Sequence, residues 1–315
     1  MYKNKENQAK KRVEIAESTD LNGDSRLQQL ESALNSLAQY RYNIITRFPE
    51  LKYKGNNQTW NRLDDYQLNS IVRQLRGMGI THANKNKVGD LLESDFSPKV
   101  NTIKDYFIQL EPVDKDYIGL LTSTVELVAD PASKPSRNKM FKKYFTKWLV
   151  GAVANVFITE KCANQLCFIL SGAQGTFKST WIRSLCPKAL VAYYVEGALD
   201  PDNKDSMLAT ATNFIFNLDD YFAGITSRKI NEFKGLLTKN TIKVRRSYAR
   251  YAEELPKICS FIASSNEAQF LHDPTGNRRF LPFEVKKIDI QKAQSIDIDK
   301  VWSQAYQLYK KGHVY

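Results

Sequence analysis

The chain has 315 residues, of which 42% are hydrophobic and 25% are charged, a composition typical of a soluble globular protein with room for two or three domains. It contains no apolar run near the roughly 20 residues of a membrane-spanning helix, no secretory signal and no Cys-x-x-Cys pair, so we expect a cytoplasmic protein with reduced thiols and no membrane contact. The formal net charge of +12 favours a nucleic acid as partner, because no basic amphipathic helix lies beside an apolar membrane anchor.

The first residues of the chain predict a flexible basic arm, a helix and two strands. Residues 1–23 are polar and rich in lysine, which is typical of a disordered arm. Leucines spaced three and four residues apart over residues 27–37 predict a helix. Residues 40–54 predict two strands that are separated by a turn at Pro49.

Apolar stripes predict more helices before the middle of the chain. We expect these helices over residues 68–75, 101–109 and 122–128. The first of them has Asp64 or Asp65 as its N-terminal cap and Gly77 as its stop signal. Residues 24–130 are therefore interpreted as a small α+β, mostly helical N-terminal module, and this module shows no catalytic constellation in its sequence.

A change in composition at residues 129–139 marks the predicted domain boundary. This segment has two prolines, two serines and few apolar residues. A strong helix is predicted directly after it, over residues 140–157, with aromatic side chains on one face. Residues 138–315 are therefore predicted to form a second domain.

A loop with two glycines carries the strongest functional signal. The motif SGAQGTFKST follows an apolar run at residues 166–170 that has the length of a buried strand. A strand, a glycine loop ending in Lys-Ser and a helix form the context in which a P-loop binds phosphates through backbone N–H groups. Lys178 would contact the β- and γ-phosphates of a nucleotide, and the Ser179 hydroxyl would hold Mg²⁺. The candidate nucleotide-binding residues are Gly172, Gln174, Gly175, Thr176, Phe177, Lys178, Ser179 and Thr180.

One position of this loop departs from the usual P-loop pattern. Phe177 stands where a glycine usually precedes the lysine. Glycine at that position allows a positive φ and a close approach of the backbone to the nucleotide. An ordinary strand-turn-helix with Lys178 on its rim is therefore the alternative to a nucleotide site.

A second apolar run ends in two carboxylates. Residues 213–218 predict a buried strand, and Asp219 and Asp220 follow it directly. In a P-loop site, an aspartate at the end of a neighbouring strand holds Mg²⁺ through water, and an adjacent acid can polarise the attacking water. The alternative is an acidic loop without a catalytic role.

The segment after a predicted helix over residues 227–239 is strongly basic. From Lys239 to Tyr251 inclusive there are five basic residues and two tyrosines, and no acidic residue. The alternation of Ile242 and Val244 with polar residues indicates a hairpin arm. Basic and aromatic side chains together suit a single-stranded nucleic acid, which offers phosphates and bases that stack. The candidate contacts are Lys243, Arg245, Arg246, Tyr248 and Arg250, and a solvated basic hairpin is the alternative.

Two polar features follow near the C-terminus. Residues 258–265 predict a buried strand that leads directly to Asn266. Arg278 and Arg279 lie on a turn before a predicted strand over residues 280–285. A structural salt bridge to a nearby acid is the alternative to a catalytic role for this arginine pair.

These motifs together resemble those of the virulence-associated protein E family, which comprises P-loop ATPases of phages and mobile elements. The resemblance covers residue 40 to the end and rests on SGAQGTFKST, FNLDD, KVRRSYAR, FIASSN and GNRRF, in that order. The family is similar to superfamily 3 helicases of the AAA+ class. The resemblance therefore implies an α/β fold with a P-loop NTPase core of the AAA+/superfamily 3 kind and a smaller, mostly helical N-terminal module.

The resemblance also implies roles for single residues. The implied catalytic residues are Lys178, Asp219, Asp220, Asn266, Arg278 and Arg279. ATP and Mg²⁺ are the implied cofactors, with Ser179 and Asp219 at the metal and Asn266 orienting the attacking water. Arg278 or Arg279 would act as a finger on the nucleotide of a neighbouring subunit, and the basic hairpin would contact DNA. The sequence departs from the family pattern at two positions: Phe177 stands in place of a glycine, and Asp220 stands in place of the longer Glu that is often found there.

The sequence therefore favours a DNA-dependent ATPase of helicase type that acts in replication of a phage or mobile element. We expect it to form a ring of identical subunits on single-stranded or replication-origin DNA. The first alternative is a replication initiator or adaptor that binds ATP and nucleic acid with little turnover. A small-molecule P-loop kinase is a further alternative, which the basic hairpin and the arginine pair disfavour.

Overall fold

The computed structural model describes residues 25–55, 59–219, 221–222, 226–244, 251–266 and 277–315. The chain divides into two compact units, Met1–Asn101 and Thr102–Tyr315, called unit 1 and unit 2 below. Within the described ranges, no helix is both long and apolar enough to cross a membrane.

Unit 1 is an α+β unit built on one sheet. Its strands are β1 (Ala38–Asn43), β2 (Phe48–Tyr53), β3 (Asn61–Arg62) and β4 (Lys99–Val100), in the order β3-β2-β1-β4. Its helices are α1 (residues 25–37), α2 (Asp65–Gly77) and α3 (Lys85–Leu92). The predicted start and stop of α2 are confirmed, because Asp64 caps the helix in a capping box with Gln67 and Gly77 is its last residue.

The predicted turn at Pro49 is wrong. The chain turns at residues 44–47, where the side-chain oxygen of Asn43 accepts hydrogen bonds from the backbone N–H groups of Ile45 (2.9 Å) and Thr46 (3.3 Å). Pro49 lies in β2 opposite Tyr42. Asn43 sets the turn because its side chain replaces a backbone acceptor, and proline is tolerated near the start of a strand, where a missing N–H is least needed.

Unit 2 is a mixed α/β unit around a mainly parallel sheet. Its strands are β5 (Val125–Leu127), β6 (Cys167–Ser171), β7 (Tyr194–Glu196), β8 (Ile215–Asp219), β9 (Thr241–Val244), β10 (Glu253–Pro256), β11 (Ser260–Ser265) and β12 (Phe280–Ile288). The sheet has the order β5-β12-β6-β11-β8-β7, in which β5 is antiparallel to β12 and the other neighbours are parallel. β9 and β10 form a separate antiparallel hairpin.

Helices pack against this sheet, and they come from segments before, between and after its strands. They are α4 (Thr102–Gln109), α5 (Tyr117–Thr122), α6 (Lys134–Phe157), α7 (Lys178–Ser184), α8 (Lys204–Thr212), α9 (Ser227–Thr238), α10 (Ile290–Ser295) and α11 (Ile298–Lys310). The long helix α6 is fixed to β11 because the indole N–H of Trp148 donates to the Phe261 carbonyl at 2.7 Å. Trp302 of α11 donates in the same way to the Leu185 carbonyl at 2.8 Å.

The division between the units differs from the predicted boundary at residues 129–139. Helix α6 already begins at Lys134, inside that segment, and residues 102–133, which precede the helix, already belong to unit 2. The predicted helix from residue 122 towards residue 128 is wrong, since β5 is a strand that pairs with β12. A short strand at the edge of a sheet depends on its distant partner, so local periodicity does not reveal it.

The four cysteines are free thiols. Burial raises the pKa of the Cys259 thiol to about 12, and burial likewise raises the pKa of the Cys186 thiol to about 12. Both thiols therefore stay protonated at neutral pH and are poor nucleophiles.

Candidate functional site

The candidate site lies where the parallel strands of unit 2 end. Ser265 at the end of β11 is in register with Ser171 at the end of β6, and Ser264 is in register with Asp219 at the end of β8. Asn266 follows β11 directly. Since parallel strands place their carboxyl ends at one edge of the sheet, residues far apart in the sequence meet here.

The loop between β6 and α7, residues 172–177, is called the glycine loop. Its backbone has positive φ at Gly172 (136°), Gly175 (84°) and Phe177 (65°). Phe177 is the N-terminal cap of α7 and takes the left-handed conformation that glycine usually supplies at this point of the motif. Such a conformation costs a non-glycine residue about 1–2 kcal/mol. The departure from the usual sequence pattern therefore leaves the backbone path of the loop intact and adds strain.

Lys178 is the first residue of α7 and is 5% exposed. Its ammonium group donates to the carbonyl oxygens of Gly172 (2.8 Å) and Ala173 (2.9 Å). It also lies 3.3 Å from the side-chain oxygens of Thr176 and Asn266. The structure thus brings together two residues, Lys178 and Asn266, that the sequence analysis selected independently.

Ser179 and Asp219, the predicted metal-binding pair, are also in contact. The Ser179 hydroxyl donates to Asp219 Oδ1 at 2.8 Å and lies 3.0 Å from the Ser264 hydroxyl. Ser264 itself donates to the same Asp219 oxygen. The sequence analysis missed Ser264, although a serine at the end of an otherwise apolar strand was a usable signal.

The oxygen atoms of Ser179 and Asp219 suit a magnesium ion. Mg²⁺ in nucleotide sites is typically held by one or two protein oxygens together with phosphate oxygens and water. Among the described residues, no group of three or more His, Cys, Asp or Glu side chains could hold a metal ion. A metal at this pair would therefore need ligands from a bound nucleotide and from water.

These groups surround a pocket of about 400 Å³. Its lining residues are Gln174, Gly175, Thr176, Phe177, Lys178, Ser179, Thr180, Asp219, Ser264 and Asn266. The volume lies within the range of about 300–1,000 Å³ for small-molecule sites. Of the predicted acidic pair, Asp219 is in the pocket, whereas Asp220 lies outside the described residues and its role stays a prediction.

The structure does not bring the arginine pair to this pocket. Arg278 and Arg279 precede β12, whose first residue, Phe280, pairs with Cys167 at the amino end of β6. The glycine loop leaves the carboxyl end of β6, which is roughly 13 Å farther along the strand. Arg278 is exposed and Arg279 is half-buried. The pair therefore lies at the opposite edge of the sheet from Lys178.

The predicted hairpin arm is present as β9 and β10. Ile242 and Val244 are buried, whereas Lys243 between them is exposed. The alternation in the sequence therefore corresponds to a buried face and a solvent-exposed face of β9. The other candidate contacts, Arg245, Arg246, Tyr248 and Arg250, lie outside the described residues. Contact of the hairpin with nucleic acid stays a prediction.

The two glycines of the loop are expected to differ in their tolerance of a side chain. A Cβ at Gly172 would lie 2.4 Å from the Val285 carbonyl oxygen of β12, whereas a Cβ at Gly175 would meet nothing within 4 Å. We expect Gly172→Ala to lower the free energy of unfolding by about 2–4 kcal/mol through backbone strain and overpacking, and Gly175→Ala by about 1 kcal/mol through strain alone. Urea unfolding of both variants measures this difference, and equal losses would contradict the close approach at Gly172.

Comparison with known proteins identifies the family. The family model described as the virulence-associated protein E-like domain matches residues 122–315, which is more than half of the chain. The chain belongs to this family. The resemblance to this family is thereby confirmed over residues 122–315, which include the whole pocket, whereas its extension back to residue 40 and the P-loop ATPase activity that it implies stay predictions. A search of curated proteins finds no match.

Solved structures with a similar fold come from the C-terminal region of NrS-1. One apo structure of that region has a TM-score of 0.52 at 15% sequence identity and covers 92% of this chain and 68% of its own. An A form apo structure of the same region has a TM-score of 0.50 at 16% identity, with the same coverage. At this identity the likeness shows the fold alone, so the chain shares a mixed α/β architecture with the NrS-1 region.

Proposed function

We propose that the protein is a Mg²⁺-dependent, DNA-dependent ATPase of helicase type, with a P-loop core of the AAA+/superfamily 3 kind. One observation carries this proposal: Lys178, Ser179, Asp219 and Asn266 converge on one pocket at the carboxyl edge of a parallel sheet. Membership of the virulence-associated protein E-like family supports a role in replication of a phage or mobile element. Ligands of open α/β sheets bind at this edge, which supports a nucleotide in the pocket.

Each side chain of the pocket has a role that its position supports. Lys178 exchanges its hydrogen bonds to the Gly172 and Ala173 carbonyls for the β- and γ-phosphates of ATP. Ser179 and Asp219 would hold Mg²⁺, which would offset the negative charge of the phosphates. Asn266, exposed and beside the ammonium of Lys178, orients the attacking water. Asp220 polarises that water in this proposal.

A neighbouring subunit supplies the remaining positive charge. Arg278 and Arg279 lie at the amino edge of the sheet, so neither side chain reaches the pocket of its own chain. In a ring with head-to-tail interfaces, one surface of each subunit contacts a different surface of the next, and we place the amino edge of the sheet against the neighbouring pocket. The position of the pair thus supports a finger that acts between subunits and disfavours one that acts within a chain.

The alternative function is an ATP-binding initiator or adaptor with little turnover. The strained backbone at Phe177 favours it. Asp220 favours it as well, because the resemblance to the family implies a longer Glu side chain at this position. ATP turnover measured with and without single-stranded and replication-origin DNA separates the candidates. Stimulation by DNA supports the helicase-type ATPase, and ATP binding without turnover supports the adaptor. Turnover that is indifferent to DNA supports the disfavoured small-molecule kinase.

Neutralising the basic hairpin is expected to weaken binding to single-stranded DNA and to flatten its salt dependence. The variant carries alanine at Lys243, Arg245, Arg246 and Arg250. Each lost phosphate contact lowers the slope of log affinity against log salt by about 0.7 on a single strand. Fluorescence anisotropy at several salt concentrations measures the slope. ATPase activity without DNA should survive, and an unchanged slope would assign the hairpin to solvated surface.

A further inference from the structure

A second pocket adjoins the glycine loop in unit 2 and is called the side pocket. It has a volume of about 540 Å³. Its lining residues are Ser123, Thr124, Glu126, Phe177, Lys287, Ile288, Asp289, Ile290 and Gln291. Phe177 lines both this pocket and the one that contains Lys178. The two pockets therefore meet at a single aromatic residue.

Hydrogen bonds through Thr124 fix the walls of the side pocket to helix α7. The indole N–H of Trp181 donates to the Thr124 hydroxyl at 3.2 Å, and Trp181 itself is fully buried. The backbone N–H of Asp289 donates to the Thr124 carbonyl at 2.9 Å. Because α7 begins directly after Phe177, the side pocket and the glycine loop hold a set position relative to each other. The side pocket is thus formed before any ligand arrives.

Phe177 carries two costs that the fold alone does not explain. Its backbone is left-handed, which is unfavourable for a bulky residue, and its side chain is 52% exposed although it is large and apolar. A glycine at this position would have avoided both costs. Strained residues that persist in a fold occur mainly at ligand sites. The exposed phenyl ring beside two pockets is therefore best explained by a contact with a ligand.

The chemistry of the side pocket suits the uncharged part of a nucleotide. Hydrogen bonds from Lys134 and Lys286 lower the pKa of the Glu126 carboxyl, so this side chain is negatively charged at neutral pH. Asp289, exposed on the same rim, adds a second carboxylate. Lys134 and Lys286 lie 3.1 Å and 3.3 Å from the Glu126 carboxylate and balance its charge, so the rim of the side pocket has no net negative charge. Ile290 is half-buried and supplies apolar surface, and the exposed Gln291 amide offers a donor and an acceptor to the edge of a base.

We infer that the side pocket binds the nucleoside part of the nucleotide and that the ring of Phe177 stacks on the base. The inference rests on the proposed function, because it places the phosphates in the Lys178 pocket. Phe177 and Lys178 are adjacent in the chain, so one ligand can contact both. Such a ligand carries a planar group for the Phe177 ring and phosphates for the Lys178 ammonium. Phe177 is then a specificity-determining residue that separates a nucleoside triphosphate from other polyphosphates.

The test compares ATP with inorganic tripolyphosphate, which has the phosphates and lacks the nucleoside. Phe177→Asn removes the ring and keeps a residue that tolerates a left-handed backbone, whereas Phe177→Tyr keeps a ring. Isothermal titration calorimetry with Mg²⁺ gives the Kd of each ligand for the full chain. We expect Phe177→Asn to raise the Kd for ATP about 5- to 150-fold, the range for loss of one aromatic stacking contact, and to change the Kd for tripolyphosphate less than about threefold. Phe177→Tyr should bind both ligands as the unmodified chain does.

Controls separate this inference from the proposed function. Tyr66→Asn removes an exposed aromatic of unit 1 that lines neither pocket and should change neither Kd. Phe177→Gly replaces Phe177→Asn if thermal unfolding shows that the latter is misfolded. Equal loss of both ligands in these variants, or no loss of ATP, overturns the stacking role while the phosphate site stands. Failure of the unmodified chain to bind either ligand overturns the proposed function, and the inference with it.

Discussion

Lys178→Ala is expected to abolish ATP hydrolysis, with a fall in rate of at least about 10²-fold. The ammonium group of Lys178 is buried at the floor of the glycine loop, where it donates to the Gly172 and Ala173 carbonyls. In a water-excluded site, loss of one aligned donor to the developing charge typically costs about 10²–10³ in rate. Release of inorganic phosphate from ATP, with Mg²⁺ and single-stranded DNA present, measures the effect.

Two controls make this result specific. Lys188→Ala makes the same chemical change at an exposed lysine outside the pocket, and its rate should equal that of the unmodified chain. Lys178→Ala leaves two loop carbonyls without their donor, so thermal unfolding must show that the variant is folded. If folded Lys178→Ala protein hydrolyses ATP at the unmodified rate, the pocket is not a P-loop site.

Loss of the arginine finger is expected to lower the rate of ATP hydrolysis by a factor of about 10³–10⁵. Arg278→Ala tests it best, because Arg278 is the exposed member of the pair, and Arg279→Ala is its companion. Either variant should be inactive alone if the arginine that it lacks is the finger. Mixed with inactive Lys178→Ala protein, it should regain activity, because some sites of a mixed ring then combine an intact Lys178 with an intact arginine from the neighbouring chain.

The matched control for this mixing experiment is a chain with both Lys178→Ala and Arg278→Ala. It offers neither an intact pocket nor an intact finger, so adding it to Arg278→Ala protein should restore nothing. The ATPase rate is measured over a range of mixing ratios, with subunit exchange confirmed by two fluorescent labels. No recovery at any ratio with the single variant would contradict a finger between subunits, and it would remove the main support for a ring.

Much of the site could be predicted because its residues directly follow short hydrophobic segments, which are visible in the sequence. The apolar strand before the glycine loop, the run before Asp219 and the run before Asn266 are each visible as a short hydrophobic segment followed by a polar residue. The helix cap at Asp64 and the two faces of β9 are local in the same way. Caps and alternation depend on neighbours a few residues away, so a sequence displays them directly.

Several features required the tertiary structure because their partners are distant in the chain. Strand β5 exists through its pairing with β12, and its residues alone favoured a helix. Ser264 joins Ser179 at Asp219 only when three strands lie side by side. The placement of Arg278 and Arg279 away from Lys178 depends on the parallel register of β12 and β6. The order of residues in the chain does not reveal these long-range contacts.

The sequence by itself determined the family, the glycine loop and most of the side chains that meet there, since each is carried by a contiguous motif. Ser264 is the exception, because only the structure places it at Asp219. Only the tertiary structure decided that Phe177 takes a left-handed backbone, lies half-exposed and borders a second pocket. In the sequence, Phe177 is visible only as a departure from the glycine of the usual motif. Its neighbours in the side pocket come from β5 with the two residues before it and from the end of β12 with the residues after it. The antiparallel pairing of β5 with β12 places these two segments side by side.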